Sequence, residues 1–283
     1  MKKIAVIVVP YELGRLRQGV GRGPEHLLNH GAEAALATNG ARVHTRLVKI
    51  EDRFAATGLG KADAGFEIMR HVADAVRKAI EAGEFPIVLA GSCFSAVGVI
   101  AGLNETAPGI VWFDAHSDFS EPATSESGYL DSMGLSIVTG SAWQAMHSSI
   151  PFARAVPESA VVLAGARSFD PCEADRIKAS DIVHLAPDRL RSPEALLDAI
   201  HGIRPQVSGF YVHIDLDVID GGVNVYSVPR GLGGGELERL LASLLKSFPV
   251  RAVTLSAYDP DYDPESHVAK IAVHLLETVA ASV

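Results

Sequence analysis

The chain has 283 residues, of which 48% are hydrophobic, and it carries a formal charge of −9 at pH 7. A chain of this length and composition can bury a large core without cross-links. Its two cysteines, Cys93 and Cys172, do not form the disulfide framework of a small secreted protein. The acidic charge argues against a nucleic-acid partner or an anionic membrane surface, because both attract basic proteins.

The first ten residues, Met1–Pro10, combine a charged start with a short apolar run, as secretory signal peptides do. The run is shorter than the apolar region of a signal peptide, and no small-residue cleavage site follows it. Nor does any stretch reach the roughly 18 apolar residues of a membrane helix. We therefore expect this segment to contain the first buried strand, and the protein to be cytoplasmic.

Short apolar runs alternate with helical patterns along the chain. The predicted strands are Ile4–Val9, Val43–Val48, Pro86–Ala90, Gly109–Phe113, Ala160–Ala164, Ile182–Leu185, Gly209–Ile214 and Val250–Ser256. The segments with a helical pattern include Gly65–Ala82, Pro193–Ile203, Leu237–Leu245 and Val268–Ala281. Apolar strands separated by helices are typical of a mostly parallel sheet with helices on both faces. We therefore predict a single domain over residues 1–283, a three-layer α/β/α sandwich with a sheet of about eight strands.

Two long irregular stretches, Ser117–Tyr129 and Asp220–Gly235, follow directly on predicted strands. Open α/β sheets bind their ligands at the carboxyl ends of the strands, and long loops at that edge are often functional. We expect these two stretches to surround the functional site.

Acidic residues alternate with other residues directly after two of the strands. Asp114, His116 and Asp118 follow one strand, and Asp215 and Asp217 follow another. On an extended chain, residues two apart point to the same side, so each set would converge. Such carboxylates repel one another unless cations neutralise them, and oxygen ligands with one imidazole suit Mn²⁺ or a similar ion. Strand-end caps and turns are the alternative interpretation, but two such motifs favour a binuclear metal site.

The same two segments resemble the signatures of a known family. Asp114–Asp118, DAHSD, resembles the D-A-H-x-D signature of arginases, agmatinases and related ureohydrolases, and Asp215–Asp220, DLDVID, resembles their D-x-D-x-x-D signature. Further segments resemble other motifs of the family in the same order, namely Gly19–Leu27, Ala90–Gly98, Ala164–Glu173 and Pro229–Leu232. The similarity extends over most of the chain and implies an arginase-like fold.

This resemblance implies a site for two Mn²⁺ ions, bridged by Asp114 and Asp215. It gives the remaining ligands as Cys93 and Asp118 at one ion, and His116 and Asp217 at the other. A hydroxide shared by the ions would attack a planar carbon bonded to nitrogen. Asp118 would then carry a proton to the departing amine.

Cys93 stands where arginases usually have a histidine ligand. A thiolate is softer than imidazole, so Zn²⁺, Fe²⁺ or Co²⁺ are alternatives to Mn²⁺. A buried structural cysteine beside a one-metal or empty site is the other interpretation. A subgroup of the family, which includes an enzyme that hydrolyses hydroxyarginine, has cysteine at this position. Ser127–Leu130 followed by Met133 also resembles that subgroup.

A second departure lies in Ser256–Pro260, which occupies the place of the family's E-V-N-P. Ala257 replaces the glutamate that pairs with the substrate guanidinium, a loss of about 1.5–3 kcal/mol of recognition. We therefore expect arginine itself to be a poor substrate. Tyr258 is a candidate substrate contact that would compensate, as is Asp259, and a strand-end turn is the alternative role of both.

Asp131 aligns with an arginase histidine to which a proton-shuttle role is given, so it is a candidate catalytic residue, with N-capping of a helix as the alternative. Ser127 and Asp170 match family positions that hold the α-amino-acid end of the substrate. Tyr129 replaces an asparagine at a neighbouring position. The resemblance thus predicts a pocket for an amino-acid-like substrate, but not that of a standard arginase.

These expectations favour a hydrolase that cleaves a non-peptide C–N bond of a small amidine: a guanidino, hydroxyguanidino or formimino compound. One alternative is a catalytically silent relative that binds a small metabolite or a protein partner. Another is metal-dependent deacylation, which uses a single zinc ion. Members of the family are often oligomeric, so a homo-oligomer is compatible with the resemblance.

Overall fold

The computed structural model describes residues 1–50, 61–125 and 128–283. Its main sheet contains eight strands: β1 Lys3–Val9, β4 Arg42–Leu47, β5 Phe85–Ala90, β6 Pro108–Phe113, β7 Val161–Ala164, β8 Val183–Leu185, β9 Gly209–Asp215 and β10 Val250–Ser256. A short antiparallel hairpin, β2 Tyr11–Glu12 and β3 Arg15–Leu16, follows β1. Each predicted strand is present with its bounds shifted by at most one residue. The pairing is parallel throughout the main sheet, which confirms the predicted α/β class.

The α-helices in the described ranges are α1 Gly23–Asn29, α2 Ala32–Ala37, α3 Lys61–Glu81, α4 Ser95–Leu103, α5 Gly134–Val138, α6 Gln144–Ser148, α7 Pro171–Ala179, α8 Glu194–Ile203, α9 Gly234–Ser247 and α10 His267–Ser282. They cover both faces of the sheet, because successive strand residues belong to opposite clusters. Ile4 and Val6 pack with residues of α9 and α10, whereas Ile7 packs with residues of α3 and α4. Among these helices, none is long and apolar enough to span a membrane.

The order of the strands determines which chain segments meet. The sheet runs β4-β1-β5-β10-β9-β6-β7-β8, so β5, β10, β9 and β6 are its four central strands. Because all of them are parallel, their carboxyl ends lie at one edge. Cys93 follows β5, Asp114 follows β6, Asp215 ends β9 and Ser256 ends β10. Four segments that are far apart in sequence therefore contribute side chains to one place.

Helices α3 and α4 approach each other closely enough that only glycine fits between them. A Cβ atom on Gly98 of α4 would lie 2.6 Å from the backbone oxygen of Met69 in α3, and one on Gly102 would lie 2.5 Å from that of Ala73. These distances are below van der Waals contact and involve backbone atoms that cannot rotate away. The packing of α4, which follows directly on the Cys93 turn, therefore depends on these two glycines.

We expect Gly98→Ala to lower the free energy of unfolding by about 1–3 kcal/mol, because the added methyl group must push α4 away from α3. Gly202→Ala is the matched control, since Gly202 is an exposed residue of α8 with no atom within 4 Å of a built Cβ. There the gain in helix propensity should stabilise the protein by about 0.5–1 kcal/mol. Urea denaturation measures both, and equal stabilisation by the two substitutions would contradict the packing argument.

Candidate metal centre

A cavity of about 280 Å³ opens at the carboxyl edge of the central strands. Acidic side chains dominate its polar lining, namely Asp118, Asp131, Asp170, Glu173, Asp215 and Asp217. Among the described residues that line it, none is lysine or arginine. The cavity therefore presents a strongly negative surface, which favours a cation.

His116 and Asp217 line one side of the cavity, and the fully buried Asp114 lies beside them. Nδ1 of His116 lies 3.3 Å from Oδ2 of Asp217 and 3.5 Å from Oδ1 of Asp114. Both carboxylates are buried, and one ligand atom from each of the three residues lies within 4.8 Å of the others. Backbone N–H groups hold them in place: that of His116 donates to Asp114 Oδ1 at 2.7 Å, and that of Ala115 donates to Asp217 Oδ1 at 3.2 Å.

Cys93 and Asp215 line the other side of the cavity. The Cys93 thiol donates to Asp215 Oδ2 at 2.9 Å, and its sulfur lies 3.2 Å from the hydroxyl oxygen of Ser256. Asp215 Oδ1 accepts the backbone N–H of Asp217 at 2.7 Å, which joins the two sides. Four of the five predicted acidic and imidazole ligands, Asp114, His116, Asp215 and Asp217, therefore lie together with Cys93 at one edge of the sheet.

Burial changes the protonation of these groups. It raises the pKa of Asp114, and it raises that of Asp215 well above the usual value, with repulsion from Asp217 adding to it. Burial likewise raises the pKa of the Cys93 thiol, with Asp215 adding to it. Although burial opposes its charged form, contacts with Asp114 and Asp217 raise the pKa of His116 to about 11. Without a bound metal ion, these side chains therefore retain protons, and the protons reduce the negative charge that a cation would otherwise neutralise.

Asp118 is the side chain whose surroundings fit a cation most directly. Its side chain is buried, yet Oδ2 has no hydrogen-bond partner within the described part of the chain. Burial raises its pKa well above the usual value, and the charges of Asp114 and Asp131 add to this effect. Its backbone has a φ of +48°, which directs the chain sharply out of the strand. An unpartnered buried carboxylate oxygen beside other carboxylates fits a hard divalent ion.

Asp131 also faces the cavity, but it does not cap its own helical turn, so the N-capping interpretation is wrong. Its Oδ1 instead accepts the backbone N–H of Phe94 at 2.7 Å and so holds the turn that carries Cys93. Residues Leu130–Met133 form a 3₁₀ turn, which brings the Asp131 carboxylate to the backbone of Phe94. Burial raises the pKa of Asp131 to about 7. This carboxyl can therefore gain or lose a proton near neutral pH.

The predicted substrate contacts are distributed differently. Asp170 lines the cavity and also caps α7, accepting the N–H of Glu173 at 2.8 Å. Tyr258 is not brought to the cavity: it is buried on the opposite side, and its hydroxyl donates to Asp263 at 3.0 Å. Its neighbour Ala257, which follows the end of β10 and has a positive φ of +61°, lines the cavity instead. Ser127 lies outside the described residues.

Three residues at this edge were not predicted from the sequence. The side chain of Asn224 donates to the Ala257 carbonyl at 2.7 Å and ties the loop after β9 to the cavity wall. The ring of Tyr226, from the same loop, lies 5.5 Å from the ring of Tyr129. His213 is buried beside Asp215, and burial lowers its pKa to about 3. Its position two residues before Asp215 on the same strand was a signal that could have revealed it.

Comparisons with known proteins agree with this geometry. A model of the Arginase family matches residues 2–281. The arginase of Bacillus caldovelox is 28% identical over 300 residues, which cover 98% of this chain and 97% of that protein. The crystal structure of arginase from Bacillus subtilis has a TM-score of 0.89 at 25% identity and covers 100% of this chain and 99% of that one. Formimidoylglutamase from Bacillus subtilis, with a TM-score of 0.73 at 15% identity over 100% of this chain and 87% of that one, shares the fold alone.

We expect the metal-free protein to lose stability as the pH rises from about 5 to about 9. The pKa values of Asp118, Asp131 and His116 are raised in the folded state, so the folded protein binds more protons than the unfolded chain in this range. Removing those protons therefore favours unfolding. Thermal unfolding with a chelator measures the trend, and added divalent ions should reverse it. Asp118→Asn should flatten the chelated profile, and a melting temperature that rises with pH in chelator would contradict the argument.

Proposed function

Because the chain belongs to the arginase family, we propose that it is a hydrolase of a small linear amidine, cleaving a non-peptide C–N bond with the help of two divalent ions. The observation that carries this proposal is the placement of His116, Asp118, Asp215 and Asp217 in the lining of one acidic cavity, with the buried Asp114 beside His116 and Asp217. Its substrate class is a guanidino, hydroxyguanidino or formimino compound.

The donor set fits two ions. Asp114, His116 and Asp217 would hold one ion, and Cys93, Asp118 and Asp215 would contribute to the other. We propose Mn²⁺ as the metal, with Zn²⁺, Fe²⁺ or Co²⁺ as alternatives because of the Cys93 sulfur. Bound there, such ions would neutralise the carboxylates and lower the pKa of a water molecule.

Two side chains are placed to move protons. The unpartnered Oδ2 of Asp118 would accept a proton from the attacking water and donate it to the departing amine. Asp131 has one carboxylate oxygen engaged by the Phe94 N–H and a pKa of about 7, so it would exchange protons between the cavity and solvent.

The cavity wall argues for a cationic substrate. Apart from the proposed metal ligands, it carries Asp131, Asp170 and Glu173 and no basic residue among the described lining residues, which favours a positively charged amidine over an anion. Ala257 offers neither a carboxylate nor bulk on the wall, which leaves room for a substituent on the amidine nitrogen. Asp170, near the rim, would bind an ammonium group at the other end of the substrate. Ser127 remains a candidate for the same end.

We expect the metal-loaded protein to release urea or ammonia from at least one member of a panel of substituted guanidines and formimino compounds. Asp118→Asn should lower kcat by about a hundredfold or more, because the proton carrier is lost. Product assays with native and mutant protein measure this. Turnover of no compound by a fully metal-loaded chain would remove the proposed substrate class and favour a silent metabolite-binding relative.

We expect Ala257→Glu to raise kcat/KM for arginine by about tenfold to a hundredfold, because a carboxylate on the wall would pair with the guanidinium. The matched control is Ala257→Gln, which has the same shape without the charge and should give little gain. Steady-state kinetics with both variants distinguish the two. An equal effect of Glu and Gln would show that charge pairing at this position is not what limits arginine recognition.

A further inference from the structure

His213 is fixed in the wall of the metal centre by its neighbours. It lies two residues before Asp215 on β9, so both side chains point to the same face of the sheet. Its ring stacks on the indole of Trp112, with ring centroids 3.8 Å apart and planes tilted by 20°. Trp112 Nε1 also donates to Asp114 Oδ2 at 3.0 Å. One buried tryptophan therefore sets the positions of both His213 and a central carboxylate.

Hydrogen bonds determine which ring nitrogen of His213 carries the proton. The Tyr211 hydroxyl donates to Thr254 Oγ1 at 2.8 Å, so its oxygen is left to accept the Nδ1–H of His213 at 3.0 Å. Nε2 then carries a lone pair. Histidines that bind metals usually donate their other ring N–H to an oxygen in this manner. Tyr211 and Thr254 thus orient His213 so that the lone pair of its Nε2 faces the acidic cluster and is free to bind a metal ion.

The lone pair of Nε2 points to the Cys93 side of the centre. Nε2 lies 3.2 Å from the Ser256 hydroxyl oxygen, which in turn lies 3.2 Å from the Cys93 sulfur. A ring nitrogen of His213, the Cys93 sulfur and a carboxylate oxygen of Asp114 all lie within 4.8 Å of one another. Three ligand atoms of the kinds that bind transition metals therefore lie close together. The unpartnered Asp118 oxygen is an independent sign that this edge of the sheet holds a cation.

We propose that His213 is a further ligand of the metal ion next to Cys93, so that it joins Cys93 and Asp114 there, in addition to the Asp118 and Asp215 already assigned to this ion. The inference rests on the proposed function only in requiring metal at this edge, and not on the identity of the substrate. A donor set of one sulfur, one imidazole nitrogen and carboxylate oxygen suits Zn²⁺, Co²⁺ or Fe²⁺ better than Mn²⁺. The two positions of the centre would consequently differ in metal preference, since the other position, Asp114, His116 and Asp217, contains no sulfur.

The wild-type protein can be tested without any substitution. X-ray absorption spectroscopy of the Co²⁺-loaded holoprotein counts the imidazole ligands. If both His116 and His213 bind, the spectrum should show two imidazoles for two ions and a Co–S distance from Cys93. Two bound ions with a single imidazole would overturn the proposal while leaving the proposed function intact, and a chain that binds no metal would overturn both.

Variants then distinguish whether His213 binds the metal ion itself or only positions other groups. His213→Gln should weaken the binding of one of the two Co²⁺ ions by at least about tenfold and remove one imidazole from the spectrum. His147→Gln is the matched control, because His147 is a buried histidine outside the cavity, and it should retain both ions. Ser256→Ala should also retain both imidazoles. Unchanged affinity and spectrum in His213→Gln would overturn the proposal. Two imidazoles in a wild-type protein that hydrolyses no amidine would support it and reject the proposed function.

Discussion

The structure depends on one electrostatic constraint: four aspartates and a cysteine are buried together at the ends of the central strands, with the partly exposed His116 and the buried, uncharged His213 beside them. Buried carboxylates of like charge cannot all be ionised unless something positive joins them. No lysine or arginine among the described lining residues does so. The raised pKa values of Asp118 and Asp215 and the proton held by His116 are the response of the metal-free chain. The rest of the fold holds these groups in place against their repulsion.

Rigid neighbours on several elements provide that restraint. Trp112 bonds Asp114, Asp131 bonds the backbone of the Cys93 turn, and Asn224 ties the loop after β9 to the residue that follows β10. The first of these bonds is local, whereas the other two join segments that are more than 30 residues apart in sequence. The positions of the acidic groups are therefore determined before any ligand enters, which is the arrangement expected of a site that binds ions with defined geometry.

The fold could be predicted from the sequence because it is encoded locally. Strands such as Ile4–Val9 and Gly209–Ile214 are apolar on both faces, which requires helices on both sides of the sheet. The acidic motifs could be found because they follow these strands directly. The extended-chain argument, however, does not explain Asp118, which reaches the cavity through a turn with a positive φ and not through strand alternation. Asp131 and Tyr258 show the same limit, since their roles depend on Phe94 and Asp263, contacts that no local pattern encodes.

The strand order also has a consequence for how the protein is made. Cys93 follows β5, whereas Asp114 and Asp215 belong to β6 and β9, and β10 lies between the two groups. Since β10 spans Val250–Ser256, the cysteine cannot join the carboxylates until this segment has been synthesised and has paired with β5 and β9. A metal site that uses Cys93 is thus completed only after the chain has been made through Ser256. Until then the thiol and the acidic cluster belong to separate parts of a partly folded chain.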